Sequence, residues 1–285
     1  MPLGENKMWN TYLIASSVPD ALQKLAALGE RARIIAGGTD LVLQAQRGQC
    51  PSTAVVDVSR IPGLDRIYLD EDTIVIGAAA THRQIARSPL ISQNAPLLAQ
   101  ACQSIGGPQI RNVATLAGNV VNALPAADGA VALFALDAQV TVATLKGETQ
   151  MPIAHLYAGV RACTLDPCFQ MLTALRFRPL PSSAGWDFQR LARRKALALP
   201  ILNVGVVAPR TDQCLTDVRI AIGPVAETPF RATAAERVLK GHPPDAKRIA
   251  EAARLAARDA RPRDSAIRGS QAYRIAMVET LVRRA

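Results

Sequence analysis

The sequence predicts an α+β protein of two domains, a two-part first domain built around glycine turns and a smaller second domain of antiparallel strands followed by helices. Its 285 residues are 49% hydrophobic, enough to bury a sizeable core. Short apolar runs alternate with helix-spaced leucines in the first part of the chain, whereas strands and then helices dominate the last hundred or so residues. Between these regions, Arg178-Pro179-Leu180-Pro181-Ser182-Ser183 reads as a joint, since its prolines and serines favour a linker over a regular element. The expected domains are therefore 1–178, with parts of about 1–58 and 59–178, and 183–285.

Ser17-Val18-Pro19-Asp20 marks a helix start, with a hydroxyl cap and an acid three residues later. Leu22, Leu25 and Leu28 follow at helical spacing, and Gly29 stops the helix. Arg33 to Ala36 is a short strand, Gly37-Gly38 a turn, Leu41 to Gln46 a short helix and Ala54 to Val58 a second strand. Thr73 to Ala78 is another strand, and Thr81 caps the helix after it, with His82 on its surface. Leu90 to Ile105 reads as one longer helix and Gly106 to Asn112 as a loop. Asp128 caps a helix that runs to Leu136. Gln139–Leu145 and Glu148–Ile153 form a hairpin around Lys146-Gly147. Past the joint, strands are expected at Asp187–Leu191, Ile201–Val207 and Val218–Ile222. Thr233 with Glu236 forms a second capping box, Gly241 closes that helix, and further helices run from about Asp245 to Arg258 and from Ser270 onward.

Composition narrows the function. The most apolar stretch, Ala127 to Leu145, contains Asp128 and Asp137 and is too broken to span a bilayer. No charged start precedes an apolar block, so no signal peptide is expected, and the protein is placed in the cytoplasm. Cys50, Cys102, Cys163, Cys168 and Cys214 are scattered, contain no C-x-x-C and read as plain thiols of a reducing compartment. His82, His155 and His242 are isolated, so no metal ligand set is expected in this chain. A net charge of +10 allows nucleic-acid binding, but aromatic content is only 4% and no recognition motif is present. The cluster Arg190, Arg193, Arg194 and Lys195 reads either as a solvated basic face or as an interface for an acidic partner.

The chemistry concentrates in two glycine-bearing turns, Ala36-Gly37-Gly38-Thr39-Asp40 and Thr115-Leu116-Ala117-Gly118-Asn119. Backbone without bulky side chains can approach a ligand closely and aim its N–H groups at an anion. Two such turns suggest a two-part cradle for an extended diphosphate. Neither is G-x-G-x-x-G or a P-loop. No Ser/His/Asp arrangement or carboxylate pair stands out for catalysis, and no catalytic residue is expected.

Together with Gln109-Ile110-Arg111-Asn112-Val113-Ala114, the continuation to Val120, Pro125, Ala127 and Asp128, and the later runs Ile222-Gly223-Pro224-Val225-Ala226-Glu227-Thr228-Pro229 and Gly269-Ser270-Gln271-Ala272-Tyr273-Arg274, these turns resemble the FAD-binding medium subunit of the molybdenum hydroxylases. This is the carbon monoxide dehydrogenase and xanthine dehydrogenase family, and the resemblance covers nearly the whole chain. It implies the two-part FAD-binding domain of the vanillyl-alcohol oxidase/CO dehydrogenase flavoprotein type, with that family's C-terminal domain behind it.

By position, the resemblance places Ile34, Ile35, Ala36, Gly37, Gly38 and Thr39 on one side of a non-covalent FAD. Thr115, Gly118, Asn119 and Asn122 lie on the other, and Asp128 holds ribityl or ribose hydroxyls. Gly106, Val121, Ala127 and Leu165 match further contact positions, and Arg190, or alternatively Gln189, stands where the family commonly has lysine. Ala117 replaces the first glycine of a usual Gly-Gly pair, which is tolerable if Gly118 alone takes an unusual angle. The implied partners are a large molybdopterin subunit and a small [2Fe-2S] subunit, in a heterotrimer or a dimer of heterotrimers. The implied role is to pass electrons from those clusters to an acceptor, with oxygen, NAD and a quinone all left open. The rival reading is a free-standing FAD oxidoreductase with its own substrate site.

Overall fold

The computed structural model describes residues 8–285. The chain start, on which the signal-peptide reading rests, lies outside the described residues. The first part contains β1 (Thr11–Ile14), α1 (Val18–Leu28), β2 (Ala32–Ile35), α2 (Leu41–Gln46) and β3 (Ala54–Asp57). Its strands form a parallel sheet in the order β1-β3-β2. Ser17 Oγ accepts from the Asp20 N–H at 3.2 Å and caps α1, which buries Leu22 and Leu25 and ends at Gly29. Strand β1 was not expected: four residues with both Tyr12 and Ile14 exposed carry little apolar signal.

The second part opens with the hairpin β4 (Ile67–Asp70) and β5 (Thr73–Gly77). Six helices follow: α3 (His82–Arg87), α4 (Pro89–Asn94), α5 (Pro96–Ser104), α6 (Pro108–Arg111), α7 (Leu116–Val121) and α8 (Asp128–Ala135). Strands β6 (Gln139–Thr144) and β7 (Gly147–Pro152) form the expected hairpin, and β8 (Tyr157–Gly159) and β9 (Ala162–Cys163) a smaller one. Strand β10 (Met171–Phe177) then enters the middle of an antiparallel sheet ordered β4-β5-β10-β6-β7.

The helix expected over Leu90–Ile105 is two helices. Pro96 has no N–H to continue the ladder and forces Ala95 out of helical geometry, to φ −152° and ψ 55°. The expected loop at Gly106–Asn112 contains the single turn α6. Asp128 is the first residue of α8 rather than its cap, and Ala127 occupies the cap position without a side-chain bond. All eight residues of α8 are buried.

The C-terminal region contains β11 (Ala184–Ala192), β12 (Pro200–Thr211), β13 (Cys214–Leu215), β14 (Arg219–Gly223), β15 (Phe230–Arg231), α9 (Thr233–Leu239), α10 (Ala246–Asp259) and α11 (Gln271–Arg284). Its main sheet runs β11-β12-β14-β15. A second core gathers Leu202, Val204, Ile220 and Ile222 from the sheet with Ala253, Ala256, Val278 and Leu281 from α10 and α11. The capping box at α9 is absent. Thr233 is already helical, and the Glu236 carboxylate turns inward, accepting the Ile220 N–H at 2.8 Å and both Arg231 donors at 2.8 and 2.9 Å. Arg231 also reaches Asp137 at 2.9 Å, which ties this region to the turn after α8.

Helix α8 packs against β12 and β14, so the two parts of the chain share a dry face. Gly223 makes the closest approach: a Cβ there would lie 2.7 Å from the Pro125 carbonyl oxygen and 2.9 Å from Val131 Cγ2. Gly223→Ala is therefore expected to destabilise the protein by about 1–3 kcal/mol through overpacking. Urea unfolding of the variant against wild type measures this.

Candidate functional site

The two glycine turns meet. A Cβ on Gly37 would lie 2.0 Å from the Val113 carbonyl oxygen and 2.8 Å from the Ala114 Cα, so these backbones touch with no room for a side chain. Gly38 takes φ +68°, and its carbonyl accepts the Val42 N–H at 2.9 Å to open the α2 region. Asp40 occupies the α2 cap position but makes no cap bond. Among the described residues, the N–H groups of Gly37, Gly38, Thr39 and Asp40 donate to no protein acceptor. Consecutive free N–H groups at such a bend are the donor set of an anion nest.

The second turn is the start of a helix. Thr115 caps α7, its Oγ1 accepting the Gly118 N–H at 3.0 Å. Gly118 is helical and does not take the positive φ expected of it. Ala117 replaces glycine without strain for the same reason, since it lies inside the first turn and is buried. What Gly118 contributes is space: a Cβ there would meet only Thr115 Oγ1, at 2.9 Å. Asn119 Oδ1 is buried with no protein partner. Asn122, at the end of α7, reaches α2, where Gln44 Nε2 donates to its Oδ1 at 3.4 Å. Asp40 lies beside Asn122 and Arg161; burial raises its pKa, against the opposing pull of those neighbours.

Asp128 and Arg190 also come together, across 62 positions of sequence, with Arg190 Nε donating to Asp128 Oδ1 at 2.7 Å. Both side chains are largely buried. Burial pushes the Asp128 carboxyl up, with Arg190 as the main opposing influence. Asn203 lies directly opposite Arg190 in the β11–β12 register. The remaining expected residues stand apart from these contacts. Ala127 is buried beside Asp128, Gly106 abuts Ile110, and Leu165 and Val121 pack against the larger core. Arg111 holds its own loop, donating to the Ile105 carbonyl at 2.8 Å. Phe188 is core, whereas Trp186 is exposed.

A cleft of about 740 Å³ adjoins the meeting point, lined by Ala36, Gly37, Val113 and Thr115 together with Thr81, Arg83 and Arg87. The α3 residues on this wall were missed, although Thr81 with Gln84 three residues on is a readable capping box, and the structure forms it. His82 lies on a short helix, as expected, but not on its surface. It is 1% exposed, its N–H donates to the Ala114 carbonyl at 3.0 Å, and Nδ1 has no partner. Burial, aided by Arg111, lowers its pKa from 6.5 to about 4.

Among the described residues, the unbonded N–H groups of residues 37–40, beside a cleft that Thr115 also lines, fit the hydrogen bonding that a dinucleotide diphosphate requires. The comparisons agree. Residues 6–179 match the FAD binding domain in molybdopterin dehydrogenase, and residues 187–285 match the CO dehydrogenase flavoprotein C-terminal domain. The chain belongs to the FAD-binding subunits of the molybdenum hydroxylase family. It is 34% identical over 274 residues to the 6-hydroxypseudooxynicotine dehydrogenase complex subunit alpha of Paenarthrobacter nicotinovorans, covering 96% of this chain and 92% of that protein. It is 29% identical to a putative xanthine dehydrogenase FAD-binding subunit of Escherichia coli, covering 96% and 94%. A solved carbon monoxide dehydrogenase from Hydrogenophaga pseudoflava superposes with a TM-score of 0.93 at 28% identity, covering 96% of this chain and 95% of that one.

Gly118→Val fills the open space and crowds the Thr115 cap, so flavin content is expected to fall well beyond tenfold, about 1.4 kcal/mol, with little change in circular dichroism. Gly37→Ala, by contrast, is expected to disturb the fold itself, because the added carbon meets backbone on both counts. Flavin retained at wild-type level in Gly118→Val removes that residue from the site.

His82 gives a pH prediction. Its folded pKa lies below its ordinary value, so the unfolded state binds the proton more readily. Its contribution is intact above pH 6.5 and is lost as pH falls toward about 4, by roughly 3 kcal/mol in all. Urea midpoints at pH 7.5 and 5 are expected to differ less in His82→Gln than in wild type.

Proposed function

We propose that this chain is the electron-transfer flavoprotein subunit of a three-component molybdenum hydroxylase. It takes electrons from [2Fe-2S] clusters on a small subunit and delivers them to an external acceptor, while a large molybdopterin subunit oxidises the substrate. The observation that carries this is the joined pair of turns, with free N–H groups at Gly37 to Asp40 facing the Thr115-capped helix.

FAD, when bound, supplies a redox group able to exchange electrons singly or in pairs. The protein's part is to bind and orient it. The Gly37–Asp40 N–H groups hold the diphosphate, and Gly118 keeps the facing wall open. Asn119 and Asn122 offer amide bonds, and the Asp128–Arg190 pair fixes a polar end of the pocket. His82, kept neutral by burial, supports the loop before Thr115 and moves no proton for the substrate.

The relatives favour a subunit over a free-standing oxidoreductase, since they carry the names complex subunit alpha, FAD-binding subunit and medium chain. Among the described residues no helix is long and apolar enough to cross a membrane. The assembly is expected to be a cytoplasmic heterotrimer or dimer of heterotrimers.

The purified chain is expected to release yellow FAD on acid precipitation, to be reduced by dithionite, and to leave unoxidised the substrates that the assembled complex turns over. Protein that stays colourless in excess FAD, or that oxidises those substrates alone, overturns the reading.

A further inference from the structure

A second cleft, of about 620 Å³, shares no lining residue with the one beside the glycine turns. All five strands of the antiparallel sheet contribute to its floor, and Val18 at the start of α1 and the turn at residues 61–64 complete its lining. Strand register sets the floor. Tyr68, Val75 and Arg176 lie side by side across β4, β5 and β10. Two residues further along, Ala174, Thr141 and Gln150 lie side by side across β10, β6 and β7. Both rows share a face because side chains alternate with period two. The other face of the same strands is closed core, where Ile74, Ile76, Val140, Val142 and Leu175 are fully buried.

The floor is polar where the core face is not. Thr141 is 5% exposed, and its Oγ1 is buried with no protein partner. Thr173 is the extra residue of the β10 bulge between Leu172 and Ala174. Adjacent residues of a regular strand point to opposite faces, yet Thr173 and Ala174 both line the cleft. The bulge re-aims the threonine, a use that bulges commonly serve beside binding sites. The Thr173 hydroxyl is held loosely, 3.3 Å from Glu148 Oε1 and 3.4 Å from the Thr141 carbonyl oxygen. A sheet face that only covered a core would carry valine at these two positions, since a buried hydroxyl without a full bond costs stability.

The two ends of the floor differ in charge. Arg66, next to β4, forms no ion pair among the described residues, and Arg176 adds a second guanidinium that Asp70 holds at 2.8 Å. At the other end, Glu148 and Gln150 stand on β7, and Glu148 has no cationic partner among the described residues. Strands β4 and β7 are the outermost of five, so at about 4.8 Å per spacing the inward-reaching side chains leave a span on the order of 10 Å. That span is too wide for a simple ion or an α-amino acid. It suits a molecule with an anionic group at one end and hydroxyls at the other.

We propose that this cleft binds a small polyhydroxylated anion of the sugar-phosphate or sugar-acid kind. Arg66 takes the anionic group, Thr141, Thr173 and Gln150 exchange hydrogen bonds with the hydroxyls, and Glu148 accepts from the far end. Hydroxyls match this floor because each both donates and accepts, as threonine and glutamine do. The site is separate from the flavin's and needs no partner subunit. The segment 59–66 runs between the two clefts: Ser59 and Asp65 line the first, and residues 61–64 and Arg66 line the second.

The test is isothermal titration calorimetry of the full chain with glucose 6-phosphate, gluconate, glucose and inorganic phosphate, in wild-type, Thr141→Val and Arg66→Gln forms. At least one of the two anionic sugars is expected to bind wild type, and to bind it more than tenfold more tightly than glucose or phosphate. The tighter of the two identifies the anionic group. Arg66→Gln is expected to weaken that sugar about tenfold and leave glucose unchanged, whereas Thr141→Val weakens both sugars, by about tenfold. Both variants are expected to keep FAD at the wild-type ratio. Stability separates a ligand site from a packing role. Thr141→Val removes an unpaired hydroxyl at nearly unchanged shape, so without ligand its urea midpoint is expected to be no lower than that of wild type. A lower midpoint means that the hydroxyl supports the fold, and overturns the proposal. No binding of either anionic sugar, or binding undiminished in either variant, also overturns it. Phosphate that binds as tightly as the sugars does so too, because the cleft then holds an adventitious ion only. Loss of FAD from either variant assigns the cleft to the flavin pocket and has the same result.

Discussion

The contact between the Gly37 backbone and the Val113–Ala114 backbone is the constraint on which the site depends. A parallel three-stranded unit and an antiparallel five-stranded unit share one apolar core, which α1 joins from the first side. At Gly37 they meet with no side chain between them. That closeness brings the free N–H groups of residues 37–40 near a helix that starts at Thr115. The α2–α7 link through Gln44 and Asn122 repeats the connection a few residues further along both chains. Side-chain and backbone contacts thus fix one relative position, and an anion cradle is the by-product of that position.

A second constraint operates behind the cradle. Helix α8 is buried on every side, so the Asp128 carboxylate at its first turn has no water to stabilise it. It is matched by Arg190, which comes from the C-terminal sheet. A buried pair of this kind contributes little net stability but is costly to leave half-made, so it specifies how the C-terminal region seats on α8. Arg190 then spends a further donor on the Ala198 carbonyl. One guanidinium therefore links the cofactor-domain helix, the β11–β12 sheet and the connection between those two strands.

Much of this was legible from local chemistry. Ser17 with Asp20, and Thr81 ahead of α3, are short-range capping signals that need no tertiary information, whereas the helix that Thr115 starts read only as a turn. The two turns were found because glycine is conspicuous. Their contact was not, because it is backbone against backbone and leaves no mark except the missing side chain. Strand β10 escaped notice although it is central, since a bulge between Leu172 and Ala174 breaks the period-two alternation that identifies a strand. His82 was misplaced outward because a lone histidine on a short helix looks solvated, and nothing nearby in sequence indicates that α8, at Gly129, will lie against its ring. Glu236 looked like a cap and became a buried anchor for Arg231, a substitution of long-range for local bonding that only the folded sheet makes available.

The misassigned angle at Gly118 carries the most general lesson about this site. The expectation treated both turns alike, as places where a missing side chain lets backbone approach a ligand, and reserved the unusual angle for Gly118. That angle belongs to Gly38 instead. Gly37 is required because backbone lies where its side chain would be, and Gly118 because its Cβ would press on the Thr115 hydroxyl alone. These are three different uses of the same residue: conformation, backbone contact and clearance of a cap. They respond differently to substitution, since an added methyl strains the first, displaces the chain at the second and crowds the cap at the third. The first glycine of the family's usual pair can be Ala117 here at no evident cost, because that position has an ordinary helical angle and its side chain is buried.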